Sequence, residues 1–243
     1  MSTPFLSIII PAHNEASRLP RTLGQVFEFL DRQTFSSEVL VVENGSTDST
    51  LEIARELIPR FPQLIVLHEQ MRGKGNAVRS GMVSARGEFR FICDADLSMP
   101  IEEITKFLPP RLEDFDLAIA SREAPGAMRY NEPAYRHWGG RVINLAIRTL
   151  ILPGMQDTQC GFKCFRAETT LPLFRLQTQN GWSFDIELLY LARRFNLRLK
   201  EIPIQWYFDA DSKVNAVRDA LRMFGDIFRI HFNAVRGSYE TKT

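Results

Sequence analysis

Three cysteines in 243 residues, Cys93, Cys160 and Cys164, are too few and too scattered for a disulfide framework, and Cys160-x-x-x-Cys164 lacks the second pair that a zinc site needs. An excess of one charge is also missing. Thirty basic residues face 29 acidic ones, and the net +1 creates no field to gather nucleic acid, so no nucleic-acid partner is expected. No apolar run approaches the ~20 residues of a membrane-spanning helix. The chain enters Phe5-Leu6-Ser7-Ile8-Ile9-Ile10 without a charged leader, which argues against a signal peptide and predicts a cytoplasmic protein. Internal repeats and low-complexity linkers are absent as well. What is present is 44% hydrophobic residues, enough to bury a full core in one large domain.

Short β-branched runs at 6–10, 39–42, 64–67, 89–93 and 117–120 read as buried parallel strands. Helical-period segments at 18–30, 49–60, 75–85 and 101–108 fall between them, so the fold class is α/β with a mostly parallel sheet. Residues Ser46 to Ser49 supply caps for the second helix, and Pro100 suits a first helical turn. Beyond residue 121 the alternation loosens, with helices expected over 135–150 and 184–194. The expected division is a domain over 1–211 and an amphipathic helix and tail over 212–243.

Ligands of such sheets bind at the carboxyl ends of the strands, and each of those ends carries polar residues. Pro11-Ala12-His13-Asn14-Glu15 places a carboxylate there, or simply turns the chain. Glu43-Asn44-Gly45-Ser46-Thr47-Asp48 offers acceptors for a base or ribose, and reads equally as a capped turn. Arg72-Gly73-Lys74-Gly75-Asn76 joins two cations to glycines that permit close backbone approach. It is neither a Walker A loop nor a complete dinucleotide fingerprint, because Val78 stands where the third glycine belongs. In Phe89-Arg90-Phe91-Ile92-Cys93-Asp94-Ala95-Asp96 a buried strand runs into two carboxylates. Carboxylates there suit a hard cation, Mg²⁺ or Mn²⁺, shared with phosphate oxygens, although a helix cap and a solvated side chain would look the same. Asp157 beside Gly161, and the cluster Trp182, Asp185 and Glu187, are further candidates.

Taken in order and at their spacing, these motifs resemble the family 2 glycosyltransferases with the GT-A fold. The resemblance runs from Ser7-Ile8-Ile9-Ile10-Pro11 to Asp94-Ala95-Asp96 and continues through Ala120-Ser121-Arg122, Gly181-Trp182-Ser183-Phe184-Asp185-Ile186-Glu187 and Ser212-Lys213-Val214. The later motifs look like the branch that glycosylates dolichyl phosphate, the β-glucosyltransferases and mannose synthases. It implies a Rossmann-like sheet flanked by helices, a UDP- or GDP-sugar donor and a polyprenyl phosphate acceptor. It assigns Pro11, Glu15 and Glu43 to base and ribose, Lys213 to the diphosphate, and Asp94 and Asp96 to ribose and metal, with Ser46 and Lys74, from the loops read above, as further donor-binding candidates. Arg122 and Arg136 would grip the acceptor phosphate. Departures are Glu43-Asn44 for paired aspartates, Ser98 for a metal-binding glutamine, and Gly140 where mannose synthases carry serine, which mildly favour a glucosyl donor.

A phosphate acceptor is mostly dianionic at neutral pH and needs little general base, so Asp157 would orient or act as a weak base. A saccharide hydroxyl acceptor would instead need Asp157 or Asp185 as base. An adaptor that binds nucleotide sugar without turnover is the remaining alternative. Val217, Leu221, Phe224, Ile227, Phe228, Phe232 and Val235 at helical spacing, among Arg218, Arg222, Arg229 and Arg236, predict a helix that lies on the membrane face or packs on the domain or a second subunit.

Overall fold

The computed structural model describes residues 3–133, 151–209 and 216–240. Each apolar run named above forms a strand. β1 (Leu6–Ala12), β2 (Ser37–Glu43), β3 (Leu64–His68) and β4 (Phe89–Ile92) are parallel neighbours in the order β3-β2-β1-β4. Their alternate residues feed two cores. Leu6, Ile8, Ile10, Val39, Val41, Phe89 and Phe91 pack on one face, while Ile9, Leu40, Val42 and Ile92 pack on the other. Strands buried on both faces read as near-continuous apolar runs, and the two polar side chains in these, Ser7 and Arg90, are buried with hydrogen-bond partners, Ser7 Oγ donating to Glu38 and Arg90 to the carbonyl of Met82.

The first face is covered by α1 (Leu19–Asp31) and α2 (Thr50–Glu56), the second by α3 (Lys74–Ser84). Crossing from one face to the other between β3 and β4 puts a topological switch point at the carboxyl ends of β1 and β4, where a crevice opens. Two expected helices differ. The second stops at Glu56, four residues early, and its cap is Asp48, whose Oδ1 accepts from Thr50 N at 3.1 Å, while Ser49 makes no side-chain cap. Residues Ile101–Phe107 wind as a 3-10 helix that Pro100 precedes.

The sheet continues through β7 (Lys163–Arg166) to β5 (Leu117–Ser121) and β8 (Leu199–Pro203). β7 runs antiparallel to both β4 and β5, so β5 keeps the direction of the first four strands and the sheet is mostly parallel, as expected. A strand inserted from later in the chain carries no sign of its direction in its own composition. A two-stranded ribbon, β6 (Met128–Tyr130) with β9 (Gln205–Tyr207), stands apart from the main sheet. The second core is completed by α4 (Ala167–Leu176), α5 (Phe184–Arg194) and α6 (Ala216–Val235). The apolar stripe of α6 splits: Met223, Ile227 and Ile230 are buried, while Phe228 (72%), Phe232 (52%) and Val235 (87%) are exposed. The helix expected over 135–150 lies outside the described residues apart from its neighbours.

Candidate active site

At the switch point lies a cavity of about 530 Å³, with β1 and β4 delivering its floor. Its walls carry both signs of charge, Arg18, Arg72, Lys74 and Arg122 against Glu15, Asp94, Asp96, Asp185 and Asp209, with Trp182 and Trp206 among them. The loops after β1 and β2 are stitched together. Asn14, at φ 56, accepts from Thr47 N at 2.8 Å, and its own N–H donates to Ser46 Oγ at 3.0 Å. Asn44 Oδ1 accepts from Gly73 N at 2.6 Å, which brings the glycine loop to the same edge.

That loop needs its glycines. Gly73 has φ 133, and a Cβ on it or on Gly75 would overlap the carbonyls of Asn180 and Gln179. Lys74 follows as the first residue of α3 and sets its Nζ 2.6 Å from Asp94 Oδ1 and 4.9 Å from the ring centre of Trp182. Burial alone would lower the Lys74 pKa, but Asp94 and Asp185 outweigh it and raise the value, so the lysine stays charged. A side chain on Gly161 would overlap the Asp94 carboxylate, so this glycine makes room for it.

Asp96 stands at the rim. Its Oδ1 accepts from Ser98 N at 2.9 Å. Burial, then the like charge of Asp94, pushes its carboxyl above the ordinary value. Among the described residues no three His, Cys, Asp or Glu side chains cluster as a metal cage. Two carboxylates with oxygen-only chemistry nevertheless fit Mg²⁺ or Mn²⁺, which keep sites for phosphate oxygens.

On the opposite wall Arg122 follows β5 and forms a fork with Asp157. Nε donates to Oδ2 at 2.7 Å, Nη2 to Oδ1 at 3.0 Å, and the Arg122 N–H to Oδ2 at 3.1 Å. Glu201 on β8 holds the loop by accepting from Gln156 N and Asp157 N at 2.8 and 2.9 Å. Burial works to raise the Asp157 carboxyl, but Arg122 overrides it and brings it down to about 2. A carboxylate so held takes up no proton near neutrality, so it orients Arg122 and is unsuited as a general base. Trp206 lies 5.5 Å from the Arg122 guanidinium and 5.9 Å from that of Arg129. Arg122 itself lines the cavity.

The remaining expected residues divide. Pro11 and Glu15 line the cavity, Pro11 as part of β1 itself, with Glu15 paired to Arg18 at 3.5 Å. Glu43 and Ser46 stand behind the wall. Glu43 is 2% exposed and its oxygens are taken by Ser46 N and by His68 Nδ1, the latter at 2.5 Å. Asp185 faces the cavity and pairs with the buried Lys163 at 2.9 Å. Burial pushes its carboxyl upward. Cys160 is also a wall residue, but burial pushes its thiol up to about 11, which removes it as a nucleophile at neutral pH. Arg136, Gly140 and Lys213 lie outside the described residues. Sequence reading missed Arg18, Trp206 and Asp209. Arg18 pairs with Asp209 at 2.9 Å across 191 positions of chain, as their numbers give, and only its place one turn after Glu15 offered a signal.

Comparison with known proteins shows the family and the fold. Residues 7–170 match the model of glycosyl transferase family 2. The chain is 31% identical to the dolichyl-phosphate β-glucosyltransferase of Dictyostelium discoideum, covering 98% of this chain and 77% of that one. It is 34% identical to the Drosophila melanogaster protein of the same name, covering 96% and 76%. Among solved structures, glucosyl-3-phosphoglycerate synthase of Mycobacterium tuberculosis with UDP superposes with a TM-score of 0.66 at 16% identity, over 93% of this chain and 80% of that one. The same enzyme with Mn²⁺, UDP-glucose and phosphoglyceric acid gives 0.64 at 16% identity, over 95% and 79%.

Proposed function

Because the chain belongs to glycosyl transferase family 2 and has the GT-A fold, we propose that this glycosyltransferase moves a glucosyl group from UDP-glucose to a polyprenyl phosphate of the dolichyl type. The observation that carries the reading is the division of the cavity, with an acidic pair and Lys74 on one wall and the clamped Arg122 on the other. One wall suits a nucleotide diphosphate and the other a phosphate nucleophile. The relatives named as dolichyl-phosphate β-glucosyltransferases support the acceptor and the sugar, and the neighbour crystallised with Mn²⁺ and UDP-glucose supports the donor and a divalent cation.

Asp94 and Asp96 would hold that cation, Mg²⁺ or Mn²⁺, which when bound neutralises charge on the diphosphate. Lys74 faces the same charge. Pro11 and Glu15 border the nucleoside end, with Glu43 and Ser46 supporting the loop behind. Arg122, backed by Trp206, receives the acceptor phosphate, and Asp157 keeps the fork aimed. The phosphate attacks as a dianion, its lone pair forming the new C–O bond as the bond to the nucleotide diphosphate breaks, with inversion and no proton to remove. Arg136 and Lys213 join the acceptor and donor sides respectively in this reading. A saccharide hydroxyl acceptor would require a base. Asp157 is disqualified by its low pKa, while Asp185, with its raised pKa, faces the cavity beside Lys163 and is the observation in favour of that second reading.

Among the described residues no helix is long and apolar enough to cross a membrane. Exposed Phe228, Phe232 and Val235 on α6, beside exposed Arg222, Arg229 and Arg236, give it a route to the surface of an anionic bilayer. A second copy of the chain is the alternative occupant of that face.

The test uses purified protein with Mg²⁺ or Mn²⁺, a panel of UDP- and GDP-sugars and polyprenyl phosphate, measuring sugar that enters the organic phase. Metal-dependent labelling from UDP-glucose is expected. Labelling from a GDP-sugar alone would overturn the donor, and labelling only with a saccharide acceptor would overturn the phosphate mechanism.

A further inference from the structure

Glu187 is 0% exposed on α5, yet it does not line the cavity and the transfer chemistry has no use for it. Buried carboxylates persist when they are fully bonded, and this one is. Its Oε2 accepts from Thr178 N and Gln179 N at 2.9 and 2.8 Å. Its Oε1 accepts from Thr178 Oγ1 at 2.5 Å and from the hydroxyl of Tyr239 at 2.7 Å. Tyr239, 1% exposed, follows α6, so the carboxylate joins the end of the chain's last helix to the segment over 177–183. Two more bonds tie the same parts: Asn233 Nδ2 donates to Thr178 Oγ1 at 3.0 Å, and Ser183 Oγ to Asp226 Oδ2 at 2.7 Å.

The other side of that segment touches the glycine loop. Gln177 Nε2 donates to Gly75 O at 2.9 Å, and Asn76 N donates to Asn180 O at 3.3 Å. The absence of side chains at Gly73 and Gly75 is what lets the two backbones meet. Trp182, at the tip, is 47% exposed and covers Lys74. A shift of the segment therefore moves the indole and the lysine loop together.

We infer that Glu187 and Tyr239 are positioning residues for the donor, clasping residues 177–183 between α6 and the glycine loop so that Trp182 and Lys74 are set for the diphosphate. The inference rests on the reading of Lys74 as a diphosphate contact. Displacement by a fraction of an ångström is enough to weaken a charged contact of this kind.

The experiment compares wild type with Tyr239→Phe and Glu187→Gln, well below their unfolding temperatures. Tyr239→Phe should raise the KM for the nucleotide sugar roughly tenfold while leaving the KM for polyprenyl phosphate unchanged. In a background where Trp138 and Trp206 are phenylalanine, iodide should quench Trp182 more strongly in both clasp variants, with no substrate present. A lowered Tm with both KM values and iodide quenching unchanged would show a purely structural clasp and overturn the inference. Equal rises in both KM values would overturn it too. If wild type neither binds nor uses any nucleotide sugar, the donor assignment fails, and the iodide measurement still decides whether the clasp sets Trp182.

Discussion

Two ion pairs face each other across the cavity and differ in kind. Lys74 and Asp94 meet at one point, 2.6 Å apart, with 15% and 24% of their side chains exposed. Arg122 and Asp157 meet through three hydrogen bonds, with Asp157 nearly buried and its loop held by Glu201. A single contact at an open wall can be exchanged for a ligand's charge, whereas a braced fork cannot open without stranding a buried carboxylate. On the proposed reading, the donor wall can rearrange around cation and diphosphate while the acceptor wall stays as it is. The aromatic backing follows the same division, since exposed Trp182 covers Lys74 while Trp206 is held under two arginines.

Breaking the donor wall should produce the largest change. Asp96→Ala is expected to lower kcat/KM by roughly 10²–10³ with the circular dichroism spectrum unchanged, because the charge on the leaving group loses its partner. Next, Asp157→Asn leaves the Arg122 guanidinium unmatched. Losing one member of a buried pair costs about 3 kcal/mol, visible in denaturant unfolding, and the acceptor KM should rise with it. Asp94→Asn, which breaks the open pair, should cost far less stability. If the two substitutions destabilise equally, the contrast between the walls is false.

Acid sharpens the contrast further. The Asp157 carboxyl lies at about 2 in the folded protein against an ordinary 3.8, so the unfolded chain takes up this proton first. Its contribution to stability is complete above about pH 4 and is lost as the pH falls through 2, amounting to roughly 2 kcal/mol. Asp157→Asn should flatten that part of the stability profile, and an unchanged slope would contradict the fork. The smallest expected effect is that of Lys74→Gln, a rise of roughly tenfold in donor KM with stability little altered.

The parallel half of the sheet was legible because strands buried on both faces are near-continuous apolar runs, and residues 6–10, 39–42 and 89–92 are apolar but for Ser7 and Arg90. Asp94 and Asp96 were legible for the complementary reason, as charges placed directly after such a run. Pairings across sequence were not. Nothing near Asp157 signals that Arg122 will reach it, and the direction of β7 is set by neighbours far away in the chain. Glu43 misled because a carboxylate at a strand's end looks like a ligand. The structure turns it to Ser46 and His68, where burial alone would raise its pKa but those bonds hold it low. The stripe on α6 was read as one face, yet burial of Met223 and Ile230 leaves Phe228 and Phe232 on another.

The central claim is that the acceptor is a phosphate gripped by Arg122 and already charged for attack. The most direct measurement supplies the enzyme, its nucleotide sugar and a divalent cation with either a polyprenyl phosphate or the corresponding polyprenol, and follows the sugar into lipid. Labelling of the phosphate and none of the alcohol is the predicted result, while labelling of the alcohol, or of a saccharide in preference to the phosphate, would contradict it.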